Sequence, residues 1–165
     1  DGLSHGNAPI SMATIPPVEV LEAAFPIYFS QWALRPNSGG PGRHRGGLGA
    51  IYEIEVLDAE ADLFVLGERG NFAPPGVHGG GPGAMNLVTY QQDDGEHTPK
   101  MAAKLFNVKL ARGQRVRIES PGGGGYGRPD QRTPAAIERD LRFGLVTPEA
   151  AERDYGPVGK SMPSV

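Results

Sequence analysis

Cysteine is absent from this sequence, which excludes disulfides and thiolate metal sites. Tryptophan occurs once, and aromatic residues make up only 7% of the chain. Apolar residues reach 38%, a low share for a self-sufficient core. No apolar run approaches the ~20 residues that a membrane-spanning helix requires, and no signal peptide is visible. A basic excess is also missing. The formal charge of −3 speaks against a general nucleic-acid binder, which would carry a basic stripe. These absences leave a cytoplasmic location as the default expectation. The chain begins at Asp1 rather than Met, so a preceding segment is expected.

Glycine and proline are abundant instead. There are 25 glycines and 16 prolines among 165 residues, about a quarter of the chain. Such a share approaches the low-complexity range. However, well-formed amphipathic segments separate the glycines, so the expectation is a folded, mainly β unit with long specific loops, some of whose stability comes from a partner. The isolated chain is expected to be poorly soluble or partly unfolded. Three clusters stand out: Gly39-Gly40-Pro41-Gly42-Arg43-His44-Arg45-Gly46-Gly47-Leu48-Gly49, Gly76-Val77-His78-Gly79-Gly80-Gly81-Pro82-Gly83, and Pro121-Gly122-Gly123-Gly124-Gly125-Tyr126-Gly127. Ordering consecutive glycines costs backbone entropy. A folded chain tolerates that cost where φ must be positive or where backbone must lie very close to something else.

Between the clusters the residue pattern predicts strands over 26–34, 50–56, 62–66, 86–90, 104–110 and 115–119. Tyr52, Ile54 and Val56 share one face of the second strand, with Glu53 and Glu55 on the other. Phe106, Val108 and Leu110 are expected on one face of the fifth, and 104–119 reads as a β-hairpin turning at 111–114. Thr133-Pro134 and Thr147-Pro148 open two short helices closed by Gly144 and Gly156. Residues 18–25 form a helical turn or an irregular strand. The expected fold is therefore mainly β, an antiparallel sheet or sandwich with long Gly-rich loops, plus two short C-terminal α-helices. In domain terms, 1–25 is an extended segment continuing from a missing or separate N-terminal part. A β-rich domain follows over 26–127, then a helical segment over 128–156 and a tail over 157–165.

The chemistry-bearing residues are sparse. A P-loop needs Lys and Ser or Thr after its last glycine, and none of the clusters has them. Gly122 to Gly127 fit a dinucleotide-binding spacing only outside a βαβ context. Arg43, His44 and Arg45 lie between glycine pairs, where two guanidinium groups could grip a carboxylate or phosphate. Equally, the arginines could pair with Glu53, Glu55 or Glu68. His5, in a polar loop with Asn7, is the single residue most suited to contact an active site, and no His pair has a metal-ligand spacing. The weak catalytic candidates are His5, Arg43 and His44. Candidate substrate or interface contacts are Asn7, Arg45, Gly123, Gly124 and Tyr126.

The order of motifs resembles the C-terminal part of the hydantoinase B / 5-oxoprolinase family. Ser4-His5-Gly6-Asn7, Thr14-Ile15-Pro16-Pro17-Val18-Glu19-Val20-Leu21-Glu22, the stretch from Leu34 to Gly49, the run from Pro121 to Gly127, Asp140-Leu141-Arg142-Phe143-Gly144-Leu145-Val146 and Tyr155-Gly156 carry the resemblance. It implies one part of an ATP-dependent cyclic-amide hydrolase. A hydantoinase A-like subunit, with ATP and Mg, would phosphorylate the substrate, and the B-type part would complete ring opening. Related acetone and acetophenone carboxylases give the alternative, with this chain a structural or interaction module. The resemblance also implies partnership with the N-terminal part of hydantoinase B, where a divalent metal would lie, and a hetero-oligomer. The chain itself is expected to bind no metal or cofactor, nucleic acid or membrane.

Overall fold

The structure, a computed structural model, describes residues 1–4 and 16–157. Seven strands follow in chain order: β1 (Ile27–Leu34), β2 (Ala50–Val56), β3 (Glu60–Leu66), β4 (Leu87–Gln92), β5 (Gly95–His97), β6 (Lys104–Ala111) and β7 (Arg115–Glu119). The helices are α1 (Val18–Ala24), α2 (Pro134–Arg142) and α3 (Pro148–Tyr155). Five strands form one sheet in the order β1-β2-β7-β4-β5, and β3 with β6 forms a second. Every strand pairing is antiparallel. The two sheets face each other across the core. Ile54, Val56, Val88, Val116 and Ile118 come from the larger sheet, and Leu63, Val65, Leu105, Val108 and Leu110 from the smaller. The mainly β, antiparallel expectation with short C-terminal helices is what the chain adopts.

Three local readings are decided or corrected. First, of the two readings of 18–25 the helical one holds: α1 starts directly after Pro17, and Glu22 Oε1 accepts the Phe29 amide at 2.8 Å. Second, β6 and β7 do not pair as a hairpin. The chain turns at 111–114, but β6 pairs with β3, and β7 inserts between β2 and β4. Both strands carry apolar faces, and a sandwich buries both only if the turn carries the chain from one sheet to the other. Third, Phe106 does not join Val108 and Leu110 in the core. Asn107 has φ of 54°, and the β3–β6 register shifts between Leu63 and Val65. Asn tolerates this left-handed conformation better than most residues. The bulge turns Phe106 outward, 57% exposed, while Leu105 fills the core at 8%.

The sheet register explains why the glycine clusters meet. Leu34 lies beside Ala50, Ile51 beside Glu119, and Glu119 beside Leu87. The first cluster connects β1 to β2, the second lies between β3 and β4, and the third follows β7, so all leave from one end of the large sheet. There they pack backbone against backbone. A Cβ on Gly122 would lie 1.8 Å from the Ser38 carbonyl oxygen; one on Gly125 would lie 2.1 Å from that of Pro41. A Cβ on Gly124 would meet the Pro75 oxygen at 2.0 Å, and one on Gly46 the Gly123 oxygen at 2.0 Å. Gly122 and Gly125 thus face the same neighbouring segment three residues apart. Three residues per turn is the repeat of a polyproline-II path, which has no internal hydrogen bonds.

Amides from all three clusters are accordingly bonded between segments. Gly40 N donates to Gly123 O at 2.8 Å, Gly123 N to Gly47 O at 2.8 Å, Gly125 N to Gly81 O at 2.9 Å, and Ala84 N to Ser38 O at 2.8 Å. The four-glycine run lies in the middle of this layer, and none of its members has a positive φ. Close approach, rather than a left-handed turn, is what requires glycine there.

α2 and α3 close with Gly144 at φ 65° and Gly156 at φ 84°. Thr147 accepts the Ala150 amide at 3.3 Å, whereas the Thr133 side chain makes no capping bond. Ile137, Val146, Ala150 and Ala151 pack the two helices into their own small core. Asn37, at φ 60°, ties this unit to the first glycine cluster by donating its amide to Leu145 O at 3.0 Å and accepting the Thr147 amide at 2.8 Å.

The large sheet's outer face is a charge ladder. Arg117 meets Glu53 at 3.1 Å and Glu119 at 2.9 Å, and Arg35 meets Glu119 at 2.9 Å. A hydrogen bond from Ser30, with help from Arg117, holds the Glu53 carboxyl below the usual carboxylate range against the opposing effect of partial burial. The depressed pKa means that Glu53 adds stability above the ordinary carboxylate pKa and loses it as pH falls through its own lower value. Ser30→Ala should therefore reduce the loss of urea-denaturation stability between neutral and acid pH relative to wild type. An unchanged pH profile would contradict this.

Gly122→Ala should cost about 3 kcal/mol or more, because the added carbon meets rigid backbone. Gly123→Ala should cost about 1 kcal/mol or less, since that position is exposed and its Cβ would stand 3.3 Å from the nearest atom. Denaturant melts of the two variants check the contrast.

Candidate functional site

Tyr126, at the end of the four-glycine run, is held between two other segments. Its amide donates to His44 O at 2.9 Å, and His44 N donates to Tyr126 O at 3.0 Å. On the other side, Gly127 N donates to Val77 O at 3.0 Å. This ladder places an imidazole on either side of the phenol. The His78 ring is 5.1 Å from the Tyr126 ring, edge to face, and the His44 ring is 6.1 Å away. His44, His78 and Tyr126 are all exposed. His78 has φ of 51°, uncommon for a residue with a side chain. Arg43 precedes His44 on the same surface, exposed, and its amide donates to Gly127 O at 3.2 Å.

Chemically, this is a surface of two imidazoles, a phenol and a guanidinium on a rigid backbone platform. Imidazole and phenol can donate or accept protons, and the guanidinium can hold an anionic oxygen. The structure brings Arg43, His44 and Tyr126 together and adds His78. Gly123 is exposed and Gly124 half-buried nearby. His5 and Asn7 lie outside the described residues. Among the described residues, no group of three His, Asp or Glu side chains converges as a metal site would.

Arg45 is the exception. It does not reach the surface and does not pair with Glu53, Glu55 or Glu68, which are taken by Arg117, Arg115 and Lys104. Its buried side chain donates through Nε to Asp140 Oδ2 at 3.0 Å and through Nη1 to Gly46 O at 2.7 Å. Arg132 donates to the same Asp140 oxygen at 2.6 Å and, through Nη1, to Asp1 at 2.7 Å. Asp1 also accepts from the Arg45 amide at 2.9 Å and from Arg139. The Arg132 guanidinium lies over the Tyr155 ring, and burial pushes the Tyr155 hydroxyl pKa up. Two arginines and an aspartate, each with under 5% side-chain exposure, thus lock the helical unit beneath the glycine layer.

Sequence reasoning did not single out His78, nor the partners of Arg45 in the buried ion group, Asp140 and Arg132 among them. His78 had a usable signal: like His44, it is the histidine of a glycine cluster. Asp140 had none, since a helical Asp flanked by arginines reads as a solvated face.

Removing Asp140 would leave Arg45 and Arg132 buried without their shared carboxylate. Asp140→Ala should cost about 3–5 kcal/mol, while Asp130→Ala, which breaks an exposed pair with Arg128, should leave the melt unchanged. Thermal denaturation of both variants checks this.

Comparison with known proteins sets the site in context. The sequence profile of the Hydantoinase B/oxoprolinase family matches residues 1–129. The caprolactamase subunit beta of Pseudomonas jessenii is 34% identical over 149 residues, covering 86% of this chain and 25% of that protein. The crystal structure of the ATP-dependent caprolactamase from Pseudomonas jessenii superposes with a TM-score of 0.75 at 29% identity, covering 88% of this chain and 26% of that one. The nucleotide-free structure of an ATP-dependent acetone carboxylase reaches a TM-score of 0.81 at 23% identity over 94% of this chain and 25% of that one; that likeness is one of fold. The chain spans about a quarter of the length of the curated relatives it matches.

Proposed function

The chain belongs to the hydantoinase B/oxoprolinase family, and from that premise we propose that it is the C-terminal segment or a small split subunit of an ATP-dependent cyclic-amide hydrolase. The match over residues 1–129 carries this reading. An A-type partner, with ATP and Mg, phosphorylates the amide oxygen. The rest of the B-type part, with a divalent metal, holds most of the substrate pocket. The assembly is a hetero-oligomer.

Amide resonance makes a ring carbonyl a poor electrophile. Once its oxygen is phosphorylated, one water adds to the carbon and the ring C–N bond breaks to leave an acyl phosphate; a second water then hydrolyses that to phosphate and the open amino acid. Charge develops on oxygen and nitrogen during this step and needs donors aimed at it. The exposed group of Arg43, His44, His78 and Tyr126 supports a place for this chain in the active-site wall. Arg43 would face the anionic oxygens, and an imidazole would hand a proton to the departing nitrogen. The glycine layer fixes these side chains without moving parts, which favours precise placement.

The 34% identical caprolactamase subunit favours hydrolysis over carboxylation, whose support here is fold likeness. In the assembled complex, His44→Ala and Arg43→Ala should each lower ATP-dependent ring opening by about 100-fold with the subunits still co-eluting. Unchanged turnover would make the chain an interaction module. Bicarbonate-dependent consumption of a ketone would replace the hydrolase reading with a carboxylase.

A further inference from the structure

One exposed apolar surface lies on the small sheet, outside the His–Tyr group of the glycine layer. On β3, residues alternate, with Leu63 and Val65 inward and Phe64 and Leu66 outward, 58% and 75% exposed. The bulge at Asn107 turns Phe106 out as well, 57% exposed, and the β3–β6 register sets it beside Phe64. Leu66 pairs with Lys104, which is bridged to Met101, 62% exposed. From there the strip enters an open groove of about 450 Å³, on whose wall stands Phe72, 79% exposed.

Five large apolar side chains in one strip are more than scattered surface hydrophobics; a patch of this kind marks a contact surface. The groove carries two further features. Arg69 and Ala102 both line it with φ of 62° and 52°, a conformation that costs free energy and persists where the surroundings impose it. Arg69 and Lys100, also lining, form no ion pair with described residues, whereas Lys104 is held by Glu68.

We infer that this strip is the docking surface for another segment of the same B-type polypeptide, one that presents apolar side chains together with a carboxylate for Arg69 and Lys100. The inference rests on the reading of this chain as one part of a longer B-type polypeptide. The apolar strip calls for cover, Arg69 and Lys100, exposed and without an ion pair among the described residues, suit an acidic complement, and relatives about three and a half times as long supply ample chain to provide both. The glycine layer, whose segments are bonded to one another through the amides of Gly40, Gly123 and Gly125, is then a platform rather than the assembly surface.

The test uses the assembled complex with the photo-crosslinker p-benzoylphenylalanine placed in turn at Phe64, Phe72 and Phe106. Crosslinked peptides identified by mass spectrometry are expected within the remaining B-type polypeptide, in a segment containing Asp or Glu. The same probe at Phe143, exposed on the helical unit, is expected to give none of those peptides. The pair Arg69→Glu and Phe72→Asp should weaken association of the two parts more than tenfold, while Phe143→Asp, an exposed change on the helical unit, leaves it unchanged. Crosslinks to the A-type subunit, to a second copy, or to nothing would overturn the inference while leaving ATP-dependent hydrolysis intact. Loss of the hydrolase activity reading, with these crosslinks present, would overturn the proposed function alone.

Discussion

Backbone-to-backbone contact in the glycine layer is the constraint on which the rest of this structure depends. Segments 38–49, 74–84 and 121–127 approach so closely that a single Cβ at Gly122, Gly124 or Gly125 would overlap a neighbouring carbonyl. The layer has no hydrophobic interior of its own. Its stability comes from hydrogen bonds between segments and from the sheet register, which delivers all three to one edge. An all-or-none character follows. A segment cannot leave without stripping partners from two others, and an unpaired buried amide is costly.

Where the four-glycine run ends, side chains reappear, and the same ladder that spaces Gly123 and Gly125 spaces His44, Tyr126 and His78. Beneath it, the buried Arg45–Asp140–Arg132 group joins the helical unit to the layer. A buried ion group of this kind is weak evidence of net stability, but breaking it leaves uncompensated charge. It therefore acts as a lock on position. The cyclic-amide hydrolase reading uses these parts economically: a rigid layer to place donors, and an apolar strip elsewhere for the remainder of the enzyme.

Much of the fold was legible because period-two patterns are local. Tyr52 to Val56, with Glu53 and Glu55 opposite, specified β2 and its buried face. The paired Thr-Pro openings and glycine closures marked α2 and α3. What escaped was non-local. Nothing near Lys104 to Glu119 says that β6 must pair with β3, because only the competition between two buried faces decides it. The exposure of Phe106 followed from one left-handed Asn. Arg45 looked like a surface cation because its partner lies 95 residues away. The glycine clusters were visible as close-approach sites, yet that they pack on one another emerged only from the strand register.

Amide hydrogen exchange at Gly123 and Gly125 tests the central claim most directly, since these amides donate to Gly47 and Gly81 in the middle of the layer. If the layer is the constraint that holds the fold, both amides exchange only through global unfolding, at the rate of Val88 and Val116 in the sandwich core. Exchange at the rate of an open surface loop, with the sheet amides still protected, would contradict it.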